Sequence, residues 1–272
     1  MDINELISLS LGKIPIPNLK YLYYYLSFKT FTKVVRDGEF VIWASHIDQM
    51  EDLLEFQKGL SIIQEIKIDA AYYKTIQYGI KQRFPFQLSL SRHKDHYPMW
   101  KIYGGNLDGV MLTIDYHALR KAGYNIGECL YSNSPEYKMA VGHLLNPKNI
   151  KEVLDDSGHL LKVPCDSEFG EFLGAFPYIA KDAHYDYEEE VRIFKELLPR
   201  ELNDDILNIE SENGARKKYK QLHFSEDIVK CVTIAPCVES GEKCRIEEVS
   251  KLLAAHHLRK VSIDKSEILI RL

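Results

Sequence analysis

The sequence lacks the metal, phosphate and membrane signatures that spacing alone identifies. Its five cysteines (Cys129, Cys165, Cys231, Cys237 and Cys244) form no C-x-x-C pair. Without histidines at matching spacing they do not make a zinc site. No lysine follows a glycine turn at P-loop spacing, and there is no G-x-G-x-x-G. No run of about 18 apolar residues occurs, and Met1-Asp-Ile-Asn-Glu5 carries no basic leader. The expectation is a reduced, cytoplasmic protein without a membrane span. A broad basic surface is missing too: 35 basic residues against 40 acidic give a net charge of −5. The run Arg216-Lys-Lys-Tyr-Lys220 is short and reads as a solvated loop, so there is no strong nucleic-acid signal.

Tryptophan is scarce at 2, whereas tyrosine reaches 17 of 272 residues. Amphipathic rings at that density suit half-buried strands, clefts and interfaces. The length allows one large core, or one domain with a substantial insert.

Along the chain, residues 1–20 carry Pro15 and Pro17 and read as an extended lead-in. Tyr21 to Leu26 reads as a strand, Ser27 caps a helix through Phe28, Phe31 and Val34, and Gly38 stops it. Glu39 to Ala44, apolar on both faces, reads as a central strand. One long amphipathic helix is expected through Ile62, Ile66, Ala70, Tyr73 and Ile80. Phe86, Leu88 and Leu90 alternate with Gln87, Ser89 and Ser91, a half-buried strand. A polar loop with His93 and His96 follows. Gly104, Gly105 and Gly109 then give tight turns beside Trp100 and Tyr103 before the strand of Val110, Leu112 and Ile114. Residues 116–180 read as a mostly helical insert within a single 1–272 domain. Ser134-Pro135-Glu136 and the spacing of Phe169, Phe172 and Phe176 supply its helix signals. Asp204 to Gly214 reads as a polar loop. Lys218 to Phe224, Val229 to Ile234 and Glu267 to Leu272 read as strands, with a short helix over Ile246 to His256.

The stretch Lys181 to Phe194 concentrates charge. As a strand from Tyr187 onward, it places Glu188, Glu190, Arg192 and Phe194 on one face, with the two carboxylates roughly 7 Å apart. As a helix, it makes Glu188 and Arg192 an i,i+4 pair on a solvated face. Both readings stand on the residues alone, as does that of a charged strand face paired by Arg192 and Lys181.

Four ordered segments resemble domain-of-unknown-function family 2971, an uncharacterised and mostly bacterial family. They are Leu22-Tyr-Tyr-Tyr-Leu-Ser27 with Gly38 to Ser45, Met50 to Asp52 and Glu55-Phe56; Leu88 to Ser91 with Met99-Trp100, Tyr103-Gly104 and Gly109 to Asp115; Lys181, Tyr185, Glu188, Glu190 and Arg192; and Ile234-Ala-Pro236 with Ser266 to Arg271. The third matches the family's Lys-His-x-x-Phe-x-x-Glu-x-Glu-x-Arg. The chain departs from the family pattern at Tyr24, Leu26 and Glu51, where histidine, threonine and asparagine are usual.

More distantly, that family resembles enzymes that bind NAD in a split antiparallel sheet and transfer ADP-ribose. The resemblance implies an α+β fold with a mixed or antiparallel split sheet, flanking helices and a helical insert. It assigns Glu190 as the catalytic carboxylate and Glu188 as its partner or the acceptor-side base. Tyr24 takes the first-strand position, Trp100 and Tyr103 are candidate stacking rings, and Arg192 completes the NAD-binding set. A carboxylate beside the ribose would stabilise the oxocarbenium character that develops as the nicotinamide bond breaks. NAD is then a substrate, no metal is expected, and the partner is a macromolecular acceptor or a protein, in a toxin or phage-defence setting. Two alternatives remain: a non-catalytic module sensing a ligand or partner in the tyrosine-rich cleft, and a metal-dependent nuclease built on Asp52, Glu188 and Glu190.

Overall fold

A computed structural model describes residues 1–47, 53–66, 68–83, 86–194, 206–210, 216–236 and 239–268. In chain order the elements are α1 (Ile3–Ser10), β1 (Tyr21–Ser27), α2 (Phe28–Val34), β2 (Val35–Arg36), β3 (Glu39–His46), α3 (Leu53–Glu65), α4 (Ala70–Arg83) and β4 (Phe86–Ser91). Next are α5 (Tyr97–Ile102), β5 (Gly109–Asp115), α6 (Tyr116–Lys121), β6 (Asn125–Glu128), β7 (Leu130–Tyr131), α7 (Pro135–Leu144), β8 (Ile150–Leu154), β9 (Leu160–Pro164) and α8 (Ser167–Ile179). The chain closes with β10 (Ala180–Lys181), β11 (Glu190–Phe194), β12 (Ile206–Glu210), β13 (Arg216–Ser225), β14 (Val229–Ile234), α9 (Glu239–Ala255) and β15 (Ser262–Lys265).

The architecture is α+β, as expected: a large, mostly antiparallel sheet with helices around it and two small two-stranded sheets. Its main path runs β12-β13-β3-β4-β1-β5-β14-β15, and β11 joins β4 to β6. The sheet is split at β4. Along one edge β4 pairs with the whole of β11, Glu190 to Phe194 against Ser91 to Gln87. Its other edge serves two strands that diverge. β3 meets it at Phe86 and Gln87, and β1 only where Tyr23 faces Ser91. Leu88, Ser89 and Leu90 thus have no partner strand on that edge among the described residues.

The apolar side of the sheet packs a core of Leu22, Leu26, Phe40, Ile42, Leu88, Leu90, Val191, Ile193 and Phe224 with Val249 and Leu253 of α9. A second cluster, Leu6 and Ile7 of α1 with Ile63, Leu144, Phe172 and Phe176, binds the helices to one another. Among the described residues no helix is long and apolar enough to cross a membrane, and none of the four described cysteines forms a disulfide.

Helix signals with a capping residue hold. Ser27 accepts the Thr30 amide (3.2 Å) and Ser134 the Tyr137 amide (3.0 Å), each satisfying an otherwise orphaned donor. Several other expectations need correction. Residues 1–20 are not all extended, because Asp2 caps α1 by accepting the Glu5 amide at 2.9 Å. The single long helix is two, since Asp69 accepts the amides of Ala71 and Tyr72 at 3.0 Å and so starts α4 afresh. The insert 116–180 also contains strands, and its β6 pairs with β11 in the main sheet. Part of the Asp204–Gly214 loop is β12, paired with β13. The last strand among the described residues is Ser262–Lys265; the strand expected over Glu267 to Leu272 falls mostly outside the described part, as do Glu51, Asp52 and Cys237.

Two glycines give opposite expectations. A Cβ on Gly127 would lie 2.0 Å from the Ser10 carbonyl oxygen and 2.8 Å from its carbon, both backbone, so Gly127→Ala must push α1 off β6. A loss of about 1–3 kcal/mol is expected for such overpacking. Gly142, within α7, has nothing within 4 Å of that position, so Gly142→Ala should gain about 0.5–1 kcal/mol. Urea unfolding of both variants checks the signs.

Candidate functional site

The divergence of β1 and β3 from β4 opens a cleft of about 660 Å³. Side chains alternate across a strand, and directly paired residues share a face. The registers therefore put Trp43, Ser45, Gln87, Ser89, Ser91, Glu190 and Arg192 on one side of the sheet, opposite the apolar core. Tyr23, Lys217 and Tyr219 join that side through their partners Ser91 and Ser45. Every one of these residues lines the cleft.

At the floor, four charges are buried together. Lys181, Glu188, Glu190 and Arg192 are exposed by only 6, 5, 5 and 3 %. The Lys181 ammonium donates to Glu188 Oε2 and to Glu190 Oε2, both at 2.5 Å. Arg192 Nε donates to Glu190 Oε1 at 2.6 Å and its Nη2 to Oε2 at 3.2 Å, while Nη1 donates to the Tyr178 carbonyl at the end of α8. Tyr103 donates its hydroxyl to Glu188 Oε1 at 2.6 Å. Two cations thus balance two carboxylates, which is what keeps a buried charge cluster tolerable.

Local structure explains the convergence. Lys181 lies in β10, held in parallel beside Tyr131 of β7, directly after α8. The strand expected from Tyr187 begins only at Glu190. Residues Ala183–Glu188 form a 3-10 turn, and Glu189 takes a left-handed conformation at φ 38°. That pivot, disfavoured for a residue with a Cβ, turns Glu188 back toward Lys181. The Glu188 carbonyl is fixed by Ser91 Oγ at 2.6 Å, and the Glu190 amide by the Tyr131 hydroxyl at 2.7 Å.

Burial alone would raise the Glu190 carboxyl, but Arg192 and Lys181 outweigh it and hold the group well below the usual carboxylate range. Burial would likewise lower the Lys181 ammonium, yet Glu190 and Glu188 carry it above its ordinary value against the repulsion of Arg192. Burial and the neighbouring Glu188 push the Tyr103 hydroxyl up, so it remains a proton donor.

Glu190, Glu188, Arg192 and Tyr103 are brought together in one cleft, whereas Tyr24 borders it on a strand that turns Tyr23 toward the cleft and Tyr24 toward the core. Their roles differ from a simple listing of ligands. Tyr24 packs partly against the core, and burial lifts its hydroxyl to about 12. Arg192 spends its guanidinium on Glu190 and Tyr178. Trp100 is a correction: it is fully buried, edge-on to Tyr25 with ring centroids 4.9 Å apart, and its indole N–H donates to Asp95 at 2.7 Å. It supports the wall from behind, so no ligand can stack on it. Tyr103, 44 % exposed, is the ring that reaches the cleft. Lys181 is the residue the sequence reading undervalued, and the signal for it was the first position of the third family motif. Among the described residues no three metal-ligating side chains come together.

Residues 99–193, from within α5 to the end of β11 apart from Phe194, match the family model described as Protein of unknown function (DUF2971). In that segment the chain is similar to the family. It holds Tyr103, Lys181, Glu188, Glu190 and Arg192, whereas β1, β3 and β13 contribute the opposite wall from outside it. No curated protein matches the chain, and no solved structure does.

The cluster sets a pH dependence. Glu190 titrates lower in the folded protein than in the unfolded chain, where a glutamate titrates near about 4.3. Its contribution is complete above that value and is lost as the pH falls toward the folded value. Lys181 is raised, so its contribution is complete below about 10.4 and is lost as the pH climbs through the folded value. Glu190→Gln leaves Lys181 and Arg192 without this partner, at an expected cost of about 3–5 kcal/mol near neutrality, and it flattens the acid limb. Urea midpoints from pH 3 to 8 check this, and a variant as stable as the parent at pH 7 would refute it.

Proposed function

We propose that the protein is an ADP-ribosyltransferase-like enzyme that uses Glu190 to stabilise the ribosyl cation formed from NAD. The observation that carries this reading is a buried carboxylate, held by Lys181 and Arg192, at the floor of a cleft opened by a split in the sheet. The bond to break joins ribose C1′ to the nicotinamide nitrogen, and nicotinamide leaves with the bonding pair. Positive charge then develops on the ribose, and a fixed carboxylate in a water-poor site is worth more there than in bulk solvent.

The residues fit such a substrate. A carboxylate offers about four acceptor positions; Glu190 uses three of them on Lys181 and Arg192, leaving one for a ribose hydroxyl. Glu188 uses two, on Lys181 and Tyr103, and is the group available to receive the proton of an attacking acceptor. Tyr103, with its exposed ring at the cleft, takes the nicotinamide-stacking role that Trp100 cannot. Leu88 to Leu90, without a partner strand on the cleft edge among the described residues, offer main-chain groups to a flat polar ligand.

A second reading has a specific observation in its favour: Glu190 is already neutralised by two cations, as in a purely structural ion cluster. On that reading the cleft senses a ligand without turning it over, and a thermal shift with ligand occurs with no chemistry.

Transfer of labelled ADP-ribose from NAD to protein and nucleic-acid acceptors tests the first reading. Parent and Glu190→Gln should be compared at a temperature where circular dichroism shows both folded. A loss of about 100-fold or more is expected, the scale for removing one preorganised electrostatic stabiliser. No NAD consumption by the parent with any acceptor would sink the transferase reading.

A further inference from the structure

One end of the cleft contains a feature that the carboxylate chemistry does not use. Trp43, on the interior strand β3, keeps 39 % of its surface exposed. Its ring centroid lies 5.5 Å from that of Tyr219, at an interplanar angle of 41°. The registers place Tyr219 opposite Ser45 and Gln221 opposite Trp43, so both rings rise on the cleft side, with Lys217 two residues further along β13. All three line the same cavity as Glu190. A single exposed aromatic is ordinary. Two adjoining rings, with a lysine two positions away on the same strand face of a cleft, form a platform for a flat heterocycle next to an anion. Charge agrees: the cleft-lining groups comprise three cations (Lys181, Arg192 and Lys217) against two carboxylates, in a chain whose net charge is −5.

Extending the β3–β4 register sets Trp43 level with Ser89, and Arg192 pairs with Ser89 from the other side. Two strand spacings therefore separate the aromatic platform from the charge cluster, roughly 10 Å before the splay is added. That span suits a ligand with its base at one end, a ribose at the other and phosphates between.

We infer that Trp43 and Tyr219, with Lys217, form the subsite for the purine base and adjoining phosphate of a nucleoside diphosphate-type ligand. This rests on the reading above for which ligand it is, but it concerns binding alone. A purine stacks on the rings, Lys217 meets a phosphate oxygen, and the distal ribose reaches Glu190.

The chain's two tryptophans make the measurement direct, because Trp100 is fully buried and Trp43 is not. Titration with ADP-ribose, which cannot act as a donor, should quench tryptophan emission saturably. AMP should quench more weakly and ribose 5-phosphate not at all. By calorimetry, Trp43→Ala should weaken ADP-ribose about tenfold or more, the scale of one lost base stack, and Lys217→Gln should weaken ADP-ribose while leaving adenosine unchanged. Both changes lie on an exposed or half-exposed surface, so unaltered melting temperatures are expected. Absence of ADP-ribose binding, equal quenching by ribose 5-phosphate, or undiminished affinity in Trp43→Ala overturns the subsite, even if ADP-ribose transfer from NAD is found. Binding that depends on Trp43 without any NAD turnover supports the subsite and removes the transferase reading.

Discussion

The two bonds from the Lys181 ammonium to Glu188 and Glu190 are the constraint on which the site depends. One cation joins the end of α8, the 3-10 turn and the start of β11, three segments with no common ladder. Arg192 repeats the tie from inside the strand, fastening Glu190 to the Tyr178 carbonyl. Removing any member strands the others in a nearly dry environment, where an uncompensated charge costs far more than the intact cluster contributes. Such a cluster gives the fold little net stability, and its effect is geometric. It fixes where the carboxylates stand and leaves each with acceptor capacity toward the cleft.

The second constraint is the shared edge of β4. A strand edge carries one ladder at a time, yet β3 and β1 both approach this one, from opposite ends. They must diverge, and a polar floor of Ser89, Ser91 and Gln87 is exposed between them. The alternation of β4 and β11 then does two jobs at once. Leu88, Leu90, Val191 and Ile193 bury the core side, while Glu190 and Arg192 are delivered to the cleft side in register with Ser91 and Ser89.

How much of this was legible in the sequence follows the range of the interaction concerned. Period-two alternation in β4 and β5, and caps such as Ser27 and Ser134, are local, and they were read correctly. The charged pattern of residues 188–192 was legible as a concentration of charge, and the family motif singled out Glu190. The left-handed Glu189 was not legible, because nothing in Glu-Glu-Glu marks one residue as the pivot; Ser91 and Tyr131 impose it from distant segments. The break at Asp69 was hidden because the apolar spacing of three and four runs through it. Trp100 read as a candidate stacking ring beside turn glycines. Gly104 in fact lets the backbone close over the indole, with a Cβ position only 2.7 Å from the ring.

The electrostatics of Glu190 limit which chemistry the site can perform. A carboxylate held below its usual range by two adjacent cations does not exchange protons near neutrality, so Glu190 is a poor general acid and a weak base. On the proposed reading its part is to stabilise a positive charge that appears transiently and without a proton, as a ribosyl cation does. On the proposed reading any base is a different group, and Glu188 is the carboxylate whose neighbours differ: one ammonium instead of two cations, and the Tyr103 hydroxyl. Two carboxylates on one lysine thus have unequal surroundings.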